Sequence, residues 1–178
     1  MRIQISPALA MCCLALLPIE ATQAAPTLEQ TQNYIIEKTD TSWKKKRNRL
    51  LIQQSISFPS NCEIQVVHQF RSLKNPETIF VDEVALVPIK EIYKLVTSGR
   101  NISVRLKPKS AVRQNTYYPA ERKHKKYCEG SSEPCTGPSW KREQAAVHVI
   151  PPGDLYREKV GKALSRMMEL CSAGKELF

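Results

Sequence analysis

Histidine is scarce in this 178-residue chain, with three in all, His68, His124 and His148, each alone in the sequence. Neither a G-x-S-x-G elbow nor an H-E-x-x-H helix occurs, which removes two hydrolase signatures. No C-x-x-C pair is present either, so a zinc site and a thioredoxin-type redox centre are both poor fits. His68 falls on the apolar side of an alternating stretch, where a hydrogen-bonded core histidine is expected. His124 sits inside a cationic run and His148 alternates with Val147 and Val149. Asp82, Glu83 and Glu91 are available carboxylates, but nothing in the spacing fixes their separation. Acid is in deficit as well: 17 Asp and Glu face 27 Lys and Arg, a net charge of +10. The expectation is a chain that is not an enzyme, with no cofactor and no metal.

What is present begins with a leader. Arg2, the mostly apolar run Ile3 to Ile19 and the small residues at Thr22-Gln23-Ala24 have the order of a secretory signal peptide over residues 1–24. Pro7, Pro18 and Glu20 interrupt the run, which falls short of the roughly 20 apolar residues that a membrane span needs. Removal takes away Cys12 and Cys13, one Arg and one Glu, leaving about 154 residues for a single domain over 25–178. The protein is therefore expected to be secreted or periplasmic, with no span after cleavage.

Four cysteines remain, Cys62, Cys128, Cys135 and Cys171, and in an exported chain an even number implies two disulfides with three possible connectivities. Cys128 and Cys135 flank Gly130-Ser131-Ser132, which suits a local clip. Cys62 and Cys171 each fall in an apolar stripe, so both are expected to point into one core.

Thr27-Leu-Glu-Gln30 matches a capping box that opens a short helix to about Lys38. From Arg49 the period changes to two. Leu50, Ile52, Ile56 and Phe58 share one side of a strand, Pro59-Ser60-Asn61 turns, and Cys62, Ile64, Val66, His68 and Phe70 alternate in a second strand. Further short strands are expected at Thr78 to Val81, Val84 to Ile89, Ile92 to Thr97, Ile102 to Leu106 and Ala146 to Ile150, with a hairpin turn at Ser98-Gly99-Arg100-Asn101. Asn101-Ile102-Ser103 is also a glycosylation sequon. Pro108 to Gln144 shows no apolar period and is set apart as a basic insert, the kind of long connection that is functional or disordered. The chain closes on Asp154 to Gly174, where Tyr156, Val160, Leu164, Met167, Met168 and Cys171 form the stripe of an amphipathic helix, with Asp154 as N-cap.

The expected class is α+β: a bent antiparallel sheet or small β-barrel of about six or seven strands, closed by the C-terminal helix, with a short N-terminal helix. With the hairpin Asn61-Cys-Glu-Ile64 and the helix Lys162-Ala-Leu-Ser-Arg-Met-Met-Glu-Leu-Cys171, this order resembles the pleckstrin-homology-like fold. The resemblance implies two antiparallel sheets whose open corner is plugged by the last helix. It covers Ser42 to Lys107 and Val147 to Cys171 and leaves the insert outside. No lipid-binding motif of that family maps onto this chain.

Charge supplies the candidate site. Lys44, Lys45, Lys46, Arg47 and Arg49 put five cations in six positions. The insert adds Arg113, Arg122, Lys123, Lys125 and Lys126, with Tyr127 and Trp140 for apolar contact. Two such runs in an exported chain suit a polyanion: envelope phosphate, acidic polysaccharide, an acidic protein or nucleic acid. The expected function is a monomeric, non-catalytic binding domain. The alternatives are an assembly protein that docks a partner chain, and a small extracytoplasmic hydrolase. Protein recovered from a secreting host is expected to begin at Ala25, which intact mass checks; a product that keeps Met1 and Arg2 removes the export argument.

Overall fold

The computed structural model describes residues 25–45, 50–99, 101–108, 110, 112–119, 128–136, 142–143 and 146–173. Its elements are α1 (Leu28–Thr39), β1 (Thr41–Lys45), β2 (Leu50–Ser60), β3 (Glu63–Ser72), β4 (Ile79–Pro88), a single helical turn (Ile89–Glu91), β5 (Ile92–Ser98), β6 (Asn101–Leu106), β7 (Val112–Tyr117), β8 (Arg142–Glu143), β9 (Ala146–Val149) and α2 (Asp154–Ala173). The class is α+β, with a six-stranded antiparallel sheet in the order β1-β2-β3-β4-β7-β8 and a three-stranded one in the order β5-β6-β9. Neither sheet closes on itself, so the barrel alternative is not realised. The strand plan differs from the expected one in two ways. Thr78 to Val81 and Val84 to Ile89 are a single strand, β4, and β1, β7 and β8 arise in the basic segments.

Local chemistry sets both helices. Thr27 Oγ1 accepts from the Gln30 amide at 3.2 Å while Gln30 Oε1 accepts from the Thr27 amide at 2.9 Å, so two amides that a helix start leaves orphaned are satisfied reciprocally. In α2, the Gly153 carbonyl accepts from Arg157 N at 2.9 Å, so Asp154 stands inside the first turn rather than at the cap. There it pairs with Arg157 at 3.0 Å. Val160, Leu164, Met167 and Cys171 are buried, as the stripe requires, but Tyr156 lies at its margin and is 37 % exposed.

The core forms where one face of β2, β3 and β4 meets one face of β5, β6 and β9 under α2. Ile56, Ile64, Val66 and Val87 come from the first sheet, Ile102, Val104 and Val149 from the second, and Leu164 and Met167 from the helix. The two helices run antiparallel. Gln32 Nε2 of α1 donates to Asn61 O at 2.9 Å beside the C-terminal half of α2, and Lys38 lies 5.7 Å from the ring centre of Tyr156 in its first turn.

The Cys62–Cys171 disulfide, with Cα atoms 5.6 Å apart, ties the β2–β3 hairpin to the last turns of α2, and Cys128–Cys135, at 5.4 Å, closes a local loop. Both are the expected pairs. In the chain-entropy account, a bridge across 109 residues restricts the unfolded chain by about 5 kcal/mol, and one across 7 by about 2 to 3. Paired substitution Cys62→Ala with Cys171→Ala is expected to lower Tm well beyond the effect of Cys128→Ala with Cys135→Ala in thermal unfolding; equal shifts contradict this.

Candidate functional site

Strand register decides which loops share a side of the molecule. Lys45 lies opposite Leu50, Leu50 opposite Ser72, Arg71 opposite Ile79, and Val81 opposite Tyr117. The β1–β2 connection (46–49), the β3–β4 connection (73–78) and the exit of β7 therefore leave the six-stranded sheet from the same end. The opposite end carries the β2–β3 hairpin, where Ile89 N donates to Cys62 O at 2.9 Å and Cys62 is bridged to α2. One end is tied to the helix by the disulfide, and the other has no such bond among the described residues.

The described strands of the insert, β7 and β8, pair at the edge of this sheet, which corrects the expectation of an unpaired connection. β7 pairs along β4 from Leu86–Val112 to Val81–Tyr117, and β8 pairs with the start of β7. At the far end, Tyr117 and Cys135 exchange backbone hydrogen bonds of 2.8 and 2.9 Å, and buried Cys128 directs its sulfur at Tyr117 O at 3.6 Å. Tyr118 N donates to Phe80 O at 3.0 Å. Residues 120–127 are thus flanked on both sides by segments fastened to the tip of β7.

The expected site residues fall into three groups. Lys44 and Lys45 lie on β1, whose backbone pairs with Leu51 and Leu50. Lys46, Arg47, Arg49, Arg122, Lys123, Lys125, Lys126 and Trp140 lie outside the described residues. Arg113 stands apart: it lies opposite Ala85, four residues or about 13 Å back along β7, and its guanidinium pairs with Glu83. The sequence reading passed over Arg71 and Lys74 at the free end. Lys74 is exposed in the β3–β4 connection. Arg71 donates to Pro76 O at 3.1 Å and Gln69 Oε1 at 2.7 Å, which leaves its Nε buried with no partner among the described residues. Only register shows that these lie at the same end of the sheet as the flanks of the basic runs.

On the six-stranded sheet and its margin, two titratable groups are displaced from their usual range. Tyr118 Oη donates to Asp82 Oδ2 at 2.6 Å, and this bond, with burial behind it, pushes the phenol up to about 12, so it stays protonated as a fastening at the root of the loop. On the inner face of the sheet, His68 Nε2 lies 3.1 Å from Oε1 of the fully buried Gln54. Burial first, then the positive charges of Arg113 and His148, bring His68 down to about 4. The core histidine foreseen at this position is thus a neutral one.

Among the described residues no group of histidine, cysteine, aspartate and glutamate is arranged to hold a metal ion. No described helix is long and apolar enough to cross a membrane. Compared with known proteins, the chain matches no family model, no curated protein and no solved structure.

The histidine yields a pH prediction. Its folded value lies below the ordinary 6.5, so the native state binds fewer protons than the unfolded chain between about pH 6.5 and 4. The stability that the neutral ring contributes is complete above that window and is lost as pH falls through it, by roughly 3 kcal/mol in all. Urea unfolding across the window is expected to show this slope in the wild type and a flatter one in His68→Gln; parallel slopes would place the proton uptake elsewhere.

Proposed function

We propose that the chain is an exported, non-catalytic binding domain of pleckstrin-homology-like architecture whose cationic end takes a polyanion outside the cytoplasm. The observation that carries this reading is the shared end of the sheet. The flanks of the two basic runs, Lys45–Leu50 and Tyr118–Cys128, are separated by the three strand spacings from β2 to β7, about 14 Å, with Arg71 and Lys74 between them. Two cationic segments at that spacing suit a linear anion that carries several charges better than a single phosphate, because one chain engages both and the second contact is intramolecular.

The division of the sheet supports the same reading. The main apolar cluster, the long disulfide and both helices lie toward the other end, so the fold does not need the basic runs for its core. Dense like charge costs stability through self-repulsion unless a counter-charge is brought to it. The Cys128–Cys135 clip and the Tyr118–Asp82 bond restrict the flanks of the insert, which lowers the ordering entropy that binding must overcome.

Retention on immobilised heparin separates this function from its alternatives. Each Lys or Arg near a strongly anionic surface contributes about 1 kcal/mol. Changing Arg122, Lys123, Lys125 and Lys126 together to Ser is expected to weaken binding at least about a hundredfold at physiological salt, with Tm unchanged. Salt should weaken the wild type steeply, since such attraction is screened within about 8 to 10 Å. Coelution of variant and wild type would refute polyanion binding through this end. A salt-insensitive complex with a second protein would favour the assembly role.

A further inference from the structure

A second cationic place lies on the outer face of the three-stranded sheet, and all of it is made of described residues. β5 and β6 slip register by one position: Ile92 lies opposite Leu106 and Lys94 opposite Arg105, which leaves Tyr93 as the extra residue. Val104 and Leu106 are buried in the core, so Arg105 between them faces out. Strict alternation after buried Ile92 would send Tyr93 out and Lys94 in. The bulge keeps both on the exposed side, two residues against one.

This arrangement has two costs that the fold does not recover. Lys94 and Arg105 are like charges directly across a strand pair, which is destabilising. Neither makes an ion pair among the described residues, and the nearby acid Glu91 is engaged by Lys107 at 3.5 Å. Tyr93 leaves 61 % of its surface to solvent beside them. An open aromatic face next to two cations that have no counter-ion among the described residues presents a ring platform and an anion cradle together.

We propose that Tyr93, Lys94 and Arg105 bind an acidic sugar unit of a polysaccharide. The apolar face of the sugar ring lies on the Tyr93 ring, and its carboxylate or sulfate sits between the ammonium and the guanidinium, relieving their repulsion. The inference rests on the polyanion reading for the class of ligand but not on the basic runs, which lie on the other sheet. Single-stranded nucleic acid is bound by the same residue types. The leader expected at residues 1–24 carries the chain away from it, and a single aromatic beside two cations fits one charged ring better than a run of stacked bases.

Calorimetric titration of the full chain with a hexagalacturonate and with an oligothymidylate tests the proposal. Tyr93→Ala, Lys94→Ser and Arg105→Ser are each expected to weaken hexagalacturonate binding on the order of tenfold, while Tyr93→Phe keeps it. Tm of Lys94→Ser should be no lower than that of the wild type, because a like-charge pair has been removed. Unchanged hexagalacturonate affinity in Tyr93→Ala overturns the proposal, as does preferential, Tyr93-dependent binding of the oligothymidylate. If heparin retention still depends on Arg122 to Lys126 while the three variants alter nothing, the polyanion reading stands and this site falls. If only Tyr93, Lys94 and Arg105 matter, the site stands and the basic end is excluded.

Discussion

The side chain of Gln54 uses all four of its hydrogen-bonding positions, and the relative placement of the two sheets and the first helix depends on it. It is fully buried. Its Nε2 donates to Thr39 O at 2.9 Å, at the end of α1, and to Ile150 O at 3.3 Å, just past β9. Its Oε1 accepts from Ile150 N at 2.9 Å and faces His68 Nε2 at 3.1 Å. Backbone groups cannot exchange donor and acceptor roles, so they fix which way the amide points, and the His68 nitrogen that faces Oε1 must carry its hydrogen. A buried amide missing even one of these partners costs about 1 to 3 kcal/mol, which makes the node all-or-none. It joins β2, β3, α1 and the strand that feeds α2, elements up to 96 residues apart.

From that node the molecule divides. Toward one end, apolar side chains from both sheets close under α2 and the Cys62–Cys171 bridge holds the helix down. Toward the other, the polar pairs Asp82 with Tyr118 and Arg71 with Gln69 secure the strands beside the buried Ile52, Phe80 and Val81. This end keeps its register through pairs that tolerate water. A surface loaded with lysine and arginine can sit beside it without disturbing the core.

This division explains what the sequence made legible. Elements that carry their own period or cap were readable: the Thr27 capping box, the α2 stripe, the alternation of β2, β3 and β6, and both disulfides. β4 appeared as two strands because Asp82 and Glu83 stand where an apolar residue was expected. Their partners, Tyr118 and Arg113, are thirty or more residues away in sequence. β7 was invisible because Arg113, Gln114, Asn115 and Thr116 have no apolar alternation; backbone pairing to β4 holds it there, and context overrides propensity. Gln54 was a gap in the stripe of Leu50, Ile52, Ile56 and Phe58, and no local rule gives such a gap a role. For the site, the basic runs were plain from composition. That the strands flanking them open at one end of the sheet, with Arg71 and Lys74 beside that end, follows only from register.

Hydrogen exchange of the full chain, free and saturated with a heparin oligosaccharide, tests the division most directly. The account predicts added protection confined to the free end, at Leu50–Leu51, Ser72–Ile79 and Tyr117–Tyr118 and in the segments that join them. Exchange in α2, the β2–β3 hairpin and the Cys62 region should be slow and unchanged. Ligand-dependent protection centred on α1 and α2, with the free end unaffected, would contradict it.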